Sequence, residues 1–425
     1  MTAEKPEAAD RRPLRLLFLT QYYPPESGAP QNRLSDLAER LVGMGYDVAV
    51  LTAMPNYPKG EVFEGYRGKL RYVETIRGVR VVRTWIFSHR GASILGRSTN
   101  YFSFCITSLL LGACGLGNVD VLFTESPPLF LGITGWLLSK WKGALFIFNV
   151  SDLWPESVVK LGVVSNPRII RLATCLEEFL YRKADMVTGQ TEGIVEDISG
   201  RLTGRRAKLL TNGVDLQAFS SEFRDHSLRY AWGGDDRFVV GYAGNIGIAQ
   251  GLEIIVKAAS LLRDRENIRV VIVGDGADRP RLEAFCDSLD LRNVIMMPLQ
   301  PRERMPAILA SFDAAVVPLK RLDLFRGALP SKLFEAMASC VPILLCVEGE
   351  AARLVRAAGA GWCLPPEDEK ALAAGILRLL SDQGSAKRMG EAGREYVRKY
   401  YDREQIAKQF TAYVADLVAS RGPVA

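Results

Sequence analysis

Histidine is nearly absent: His89 and His226 are the only two in 425 residues. That scarcity argues against imidazole-held metals and against most acid–base schemes that need an imidazole. The seven cysteines (Cys105, Cys114, Cys175, Cys286, Cys340, Cys346 and Cys363) are scattered, with no CxxC pair. Neither a zinc site nor a disulfide framework is supported, and free thiols in a reducing compartment are expected. No Asp-x-Asp pair stands at a strand end, so no metal is expected beside an anionic substrate. The dinucleotide fingerprint GxGxxG is missing from the first strand-to-helix turn, which counts against a nicotinamide cofactor. Long apolar runs are missing too. Tyr101–Gly117 is short and carries Ser, Thr, Cys and Gly, and Leu129–Val150 is broken by Lys140 and Lys142. A bilayer span needs about 20 mostly apolar residues. Both stretches read as buried helix and strand material, with a membrane-surface role left open for the first. The polar N-terminus has no apolar signal region, and residues 1–13 are expected to be a disordered tail.

What is present is an ordinary globular composition on a chain long enough for two or three domains. The net charge is +6. Between Lys59 and Arg97 nine Lys or Arg face three Glu, a local excess that equals that of the whole chain. Such a stretch is either a solvated face or a contact for an anionic partner, a lipid surface or a pyrophosphate. No nucleic-acid motif accompanies it.

Apolar strand-like runs alternate with helical periods for most of the length. Leu14–Thr20, Tyr46–Thr52, Val79–Thr84, Val119–Thr124, Ala144–Val150, Met186–Gly189 and Ala207–Thr211 form a first series, with Val79–Thr84 patterned as an edge strand. The polar, aromatic stretch Asp215–Asp236 breaks the pattern and reads as an interdomain linker. A second series follows at Phe238–Ala243, Arg269–Val273, Val294–Met296, Ala314–Val317 and Pro342–Cys346. Continuous Val/Leu/Ile/Phe runs separated by helices predict α/β architecture with parallel sheets covered on both faces. The expected organisation is one Rossmann-like domain over 14–216, a second over 217–402, and a last helix, 403–425, returning to the first. Ligands in such folds bind beyond the C-terminal strand ends.

Gly327–Pro342, GALPSKLFEAMASCVP, is the most informative stretch. Leu329 and Pro330 lead into a predicted helix from Ser331 to Ala338. Proline suits a helix entrance because its missing N–H would be unpaired there anyway. The free N–H groups of the first turn favour an anion. Lys332 adds a cation, and Glu335 lies one turn on, on the face of Ser331. Together they suit a sugar nucleotide, with the diphosphate at the helix end and the ribose hydroxyls on Glu335; an ordinary buried helix fits the residues as well. Gly28 opens a Pro/Gly-rich loop after the first strand, where backbone can approach a ligand. Asp152, in FNVSDLWPES, follows a buried strand and serves either an incoming hydroxyl or the next helix. The loop GYAGNIGIAQG offers Gly244, Asn245 and Gln250 to a diphosphate, and VGDG places Gly274 at another strand end.

The ordered set YYPPESGAPQNRLSDLA, DLWPES, TNGVD, GYAGNIGIAQGLE, VGDG and LPSKLFEAMA resembles the retaining glycosyltransferases of family 4, which have the GT-B fold, and within them the bacterial O-antigen and colanic acid branch. The resemblance covers about Leu14 to Tyr401. It implies a UDP-sugar held mainly by the second domain, an acceptor on the first, and often an undecaprenyl diphosphate lipid as acceptor at the inner membrane face. The Lys59–Arg97 region would then meet an anionic membrane. Three positions depart from the family: Gly327 stands where a first Glu is usual, Asn245 and Gln250 replace an Arg and a Lys, and the usual His near Ser151-Asp152 is missing. Lys332, the helix tip and Arg326 are expected to supply the lost charge to the leaving nucleotide. A UDP-N-acetylglucosamine 2-epimerase and a non-catalytic sugar-nucleotide-binding subunit are the rival readings.

Overall fold

The computed structural model describes residues 12–26, 28–57, 60–89, 94–160, 164–202 and 207–421. Most of the expected tail therefore lies outside the described residues, as do Lys59 and Arg90. The chain divides into two compact units, one made of Met1–Leu210 and Ala407–Ala425, the other of Thr211–Ile406.

Among the described residues, eight strands build the first unit: β1 (Arg15–Leu19), β2 (Asp47–Ala53), β3 (Arg71–Ile76), β4 (Val79–Thr84), β5 (Val121–Ser126), β6 (Leu145–Val150), β7 (Met186–Gly189) and β8 (Lys208–Leu209). Their order is β3-β4-β2-β1-β5-β6-β7-β8. All neighbours are parallel except β3, which runs antiparallel to β4. Val79–Thr84 is therefore not the edge strand its pattern predicts. Its two arginines, Arg80 and Arg83, are three residues apart and so face opposite sides: Arg80 is exposed, Arg83 is fully buried, and β3 covers the outer side. Parallel neighbours need crossover connections, supplied among others by α1 (Ala29–Gly43), α2 (Ile94–Thr107), which runs into a π-helical turn at Ser108–Gly112, and α3 (Leu131–Lys142).

The second unit is a wholly parallel sheet of β9 (Phe238–Ala243), β10 (Ile268–Val273), β11 (Val294–Met297), β12 (Ala314–Pro318), β13 (Ile343–Cys346) and β14 (Gly361–Cys363), in the order β11-β10-β9-β12-β13-β14. Successive side chains of a strand point to opposite faces. Along β9, Val239 and Ala243 enter one apolar cluster, while Phe238, Val240 and Tyr242 enter the other. Both faces are thus covered, as uninterrupted apolar strands require. The stretch read as a linker is part of this unit: Phe219, Leu228 and Trp232 are core residues, and Trp232 packs 5.7 Å from Phe312. The stretch holds only a 3-10 turn, Ser221–Phe223, and a short helix, His226–Ala231, and apart from these core residues and Arg229 it is largely exposed. The helix α4 (Ser331–Ala338) follows β12, and the last helix, α5 (Arg403–Ser420), begins in the second unit and ends in the first.

Candidate active site

The α4 helix buries Leu333, Phe334 and Met337 in the second unit's core, which fixes its axis and turns Ser331, Lys332 and Glu335 to the less buried side. Pro330 is its N-cap and makes no side-chain cap bond; the Leu333 amide turns back to the Pro330 carbonyl at 3.0 Å, and the amides of Ser331 and Lys332 are the ones a ligand could use. The Lys332 ammonium donates to the Tyr242 hydroxyl at 2.6 Å and to Gln250 Oε1 at 3.0 Å. It also sits 4.2 Å from the Tyr242 ring centre, a cation–π distance. The Tyr242 hydroxyl donates onward to the Asn245 carbonyl at 2.6 Å. A lysine, a tyrosine, a glutamine and a loop carbonyl are therefore chained together at the end of β9.

Burial of this group pushes the Lys332 pKa from its ordinary 10.5 down to about 7, against the opposing pull of Glu335. Burial likewise raises the Glu335 carboxyl, partly offset by Arg403, Arg302 and Lys332. Both side chains keep some solvent contact, so each remains reachable by a ligand. A polyanion beside Lys332 would restore its charge, because an adjacent negative group favours the ammonium.

The neighbouring loops have no room for larger residues. A Cβ on Gly244 would stand 3.3 Å from Lys332 Nζ, and one on Gly274 only 1.9 Å from the Gly244 carbonyl oxygen. Both glycines have positive φ, 146° and 148°. The Ile246 amide donates to the Asp275 carbonyl, and Lys320 N to the Ala249 carbonyl, stitching the loops after β9, β10 and β12 together. The sequence-predicted Gly244, Gln250, Gly274, Pro330, Ser331, Lys332 and Glu335 thus gather in one unit. Asn245 takes part through its carbonyl, and its side chain is exposed. Arg326 does not join the cluster: its exposed side chain reaches Asp323 at 3.8 Å. Leu329 packs on the core.

Gly28 and Asp152 belong to the first unit. Gly28 caps α1 with extended backbone, and a Cβ there would meet the Gln31 side chain. Asp152 is exposed after β6, bonded to Ser157 and to the Leu153 amide, with surrounding protein raising its pKa. Sequence reasoning missed a buried polar network directly behind it. Glu125, at the end of β5, pairs with Arg33 of α1 at 2.5 Å, with side chains only 4% and 7% exposed. Asn149 donates to the same carboxylate at 2.7 Å, Ser151 also donates to it, and Thr188 donates to Asn149 at 2.6 Å. The signal was available: Thr, Glu, Ser and Asn inside otherwise apolar strands. A second buried carboxylate, Glu26, accepts the Asn56 and Tyr57 amides, both at 2.7 Å, and burial pushes its pKa up to about 7. It ties the loop after β1 to the loop after β2. Among the described residues no group of His, Cys, Asp or Glu is gathered as metal ligands would be.

Comparison with known proteins agrees with this architecture. A family model of glycosyl transferases group 1 matches residues 231–396, and a glycosyl transferase 4-like domain matches 28–213. The chain is 28% identical over 408 residues to a putative colanic acid biosynthesis glycosyl transferase, WcaI, of Escherichia coli, covering 93% of this chain and 98% of that one. It is 27% identical over 310 residues to a probable glycosyltransferase, WbjE, of Pseudomonas aeruginosa, covering 71% and 75%. In fold it is similar to the sucrose-phosphate synthase of Thermosynechococcus elongatus, with a TM-score of 0.74, 20% identity and coverage of 96% and 100%. It is also similar to HepE of Anabaena, solved with UDP-glucose, with a TM-score of 0.70, 17% identity and coverage of 95% and 100%. Two matched glycosyltransferase models that together take in most of the chain, each on its own Rossmann-like unit, place it among the GT-B glycosyltransferases of family 4.

Proposed function

We propose that this glycosyltransferase moves a sugar, an N-acetylated or deoxy hexose, from a UDP donor to a lipid-linked acceptor such as an undecaprenyl diphosphate sugar, or to an oligosaccharide, with retention and without a metal, in surface polysaccharide synthesis. The single observation that carries the reading is the position of Lys332. The two cations that the resemblance leads one to expect in the loop after β9 are Asn245 and Gln250 here, and the Lys332 ammonium is hydrogen-bonded to that same Gln250. A cation on the helix thus lies against the loop in which those cations are expected. Relatives named for colanic acid synthesis, and a fold neighbour solved with UDP-glucose, support the pathway and the donor class.

In this reading the first turn of α4 and Lys332 take the diphosphate, and Glu335 takes the ribose hydroxyls. As the glycosidic bond breaks, negative charge grows on the leaving nucleotide, and a fixed cation stabilises that state more than the ground state. Gly244 and Gly274 let the backbone lie close to the phosphates; in the first unit Gly28 offers backbone to the sugar, and Asp152 accepts from a hydroxyl of the acceptor or the donor hexose. The donor phosphate takes the acceptor proton on the same face. The test is a donor screen by mass spectrometry with UDP-, GDP- and dTDP-sugars on lipid-diphosphate sugar acceptors, run with and without chelator, with the anomer of the product read by NMR. Lys332→Ala should lower kcat/KM with the UDP donor by about a hundredfold, roughly 3 kcal/mol. An unchanged rate would move the leaving-group cation elsewhere. Consumption of UDP-sugar without any acceptor would favour the epimerase reading.

A further inference from the structure

Between Arg97 and Asp120 the sequence carries no charged residue. The structure shows that this stretch is only half buried. Phe104, Ser108 and Gly112 face the core of the first unit, while Phe102, Ile106 and Leu110, one turn apart along α2 and its π-helical continuation, stand 45%, 57% and 64% exposed. The ridge continues on α3. Phe130, the N-cap of α3, packs with its ring centre 4.5 Å from that of Phe102 and tilted to it, and Thr134 donates to the Cys105 carbonyl at 3.1 Å. The same helix also contacts the π-helical turn, and it carries the exposed Leu137 and Trp141.

Cations rim the same end. Arg71 and Arg80, both exposed, donate to the carbonyls of Cys114 and Gly115 just past the π-helical turn, at 2.8 and 2.9 Å. Lys140 is exposed next to Trp141. The basic 59–97 stretch is thus not one uniform face. Arg83 is internal, paired with Glu74 at 2.5 Å, whereas Arg71 and Arg80 are delivered by β3 and β4 to the edge of an uncharged apolar ridge.

We infer that this ridge is a lipid-docking surface: Phe102, Ile106, Leu110 and Trp141 enter the acyl boundary of an anionic bilayer while Arg71, Arg80 and Lys140 meet its phosphates. An aliphatic and aromatic ridge with no charge within it and cations at its border matches the layering of a membrane interface. A purely apolar partner would leave the bordering cations without a counterpart. No helix of the described residues is long and apolar enough to cross a bilayer, so the contact is one of lying on the surface. The inference deepens the lipid-acceptor reading above by naming the surface that brings the chain to it, and its test needs no substrate.

The full chain is sedimented with phosphatidylethanolamine–phosphatidylglycerol vesicles and with phosphatidylcholine vesicles, with UDP binding measured in parallel. Binding to the anionic vesicles, weakened by salt, and lowered about tenfold in both Ile106→Asp/Leu110→Asp and Lys140→Glu with UDP binding intact, is expected. Because a variant can misfold, the unaltered protein is also read by quenching of tryptophan emission with bromine-labelled acyl chains, and Trp141→Phe should remove most of that quenching. Equal sedimentation of wild type and the double variant, or no quenching, overturns the inference. So does a dimer in analytical ultracentrifugation that the double variant dissolves without any vesicle binding, which would assign the ridge to a second copy of the chain. Loss of UDP binding in Lys332→Ala with vesicle binding unchanged would leave the two readings separable.

Discussion

At the scale of single residues, Lys332 decides most. Its ammonium is held by Tyr242 and Gln250, and burial brings its pKa to about 7, far below its ordinary 10.5. In the free protein, therefore, protonation is divided near neutrality, and a diphosphate must draw a proton onto the lysine as it binds. Affinity for UDP should fall as pH rises through and above 7, with proton uptake visible in calorimetry run in buffers of different ionisation enthalpy. The sign for stability is opposite. The unfolded chain binds more protons than the folded one between about 7 and 10.5, so this group makes the ligand-free fold more stable as pH rises through that window. UDP should flatten that dependence, since it restores the charge. A Lys332→Met variant should lose both pH effects.

Elements carry the second tier. The loops after β9 and β10 touch through backbone, and Gly274 leaves no room for a methyl group beside the Gly244 carbonyl. Gly274→Ala should cost roughly 1–3 kcal/mol in thermal unfolding, through clash and positive φ together, and should weaken UDP binding by displacing Gly244 from Lys332. In the first unit, Arg33 of α1 is locked to Glu125 of β5 with both side chains buried. Arg33→Met would leave a buried carboxylate without its cation, and urea unfolding should show a loss of roughly 3–5 kcal/mol. The double change Arg33→Met/Glu125→Gln should recover part of it, because the charge that needs a partner is then gone. That network fixes Ser151, and with it the start of the loop that carries Asp152.

At the scale of the whole molecule, the chain does not keep its two units separate in sequence. It leaves the first at Leu210, builds the second, and returns to the first from Ala407. The anchor of the return is Phe410, fully buried, with its ring 5.6 Å from Phe123 and 6.2 Å from Phe18, edge-on to both. Phe410→Ala should destabilise the first unit by roughly 3–5 kcal/mol, seen as a lower midpoint for its transition in calorimetry. Truncation before Arg403 should expose Phe18 and Phe123 in the same unit and cost at least as much.

The sequence by itself determined the α/β class, the two strand series and the helix entrance at Leu329-Pro330-Ser331-Lys332, because these depend on local periodicity and on the chemistry of proline at a first turn. It also marked Gly244 and Gly274, whose positive φ a glycine alone adopts easily. Tertiary structure decided what local pattern cannot carry. β3 escaped notice because its residues alternate between half-buried and exposed, and β4 looked like an edge only until β3 was laid beside it. Asp215–Asp236 is aperiodic and largely exposed, yet Phe219, Leu228 and Trp232 are aimed into the core and make it part of the second unit. Arg326 and Lys332 are both cations near one helix, but only the packing of Leu333, Phe334 and Met337 aims Lys332 at Tyr242 and Gln250 while Arg326 stays at the surface. Periodicity reports which face of an element avoids water; which residues from distant strands then share that face, or one buried charge, is settled only when the strands are placed side by side.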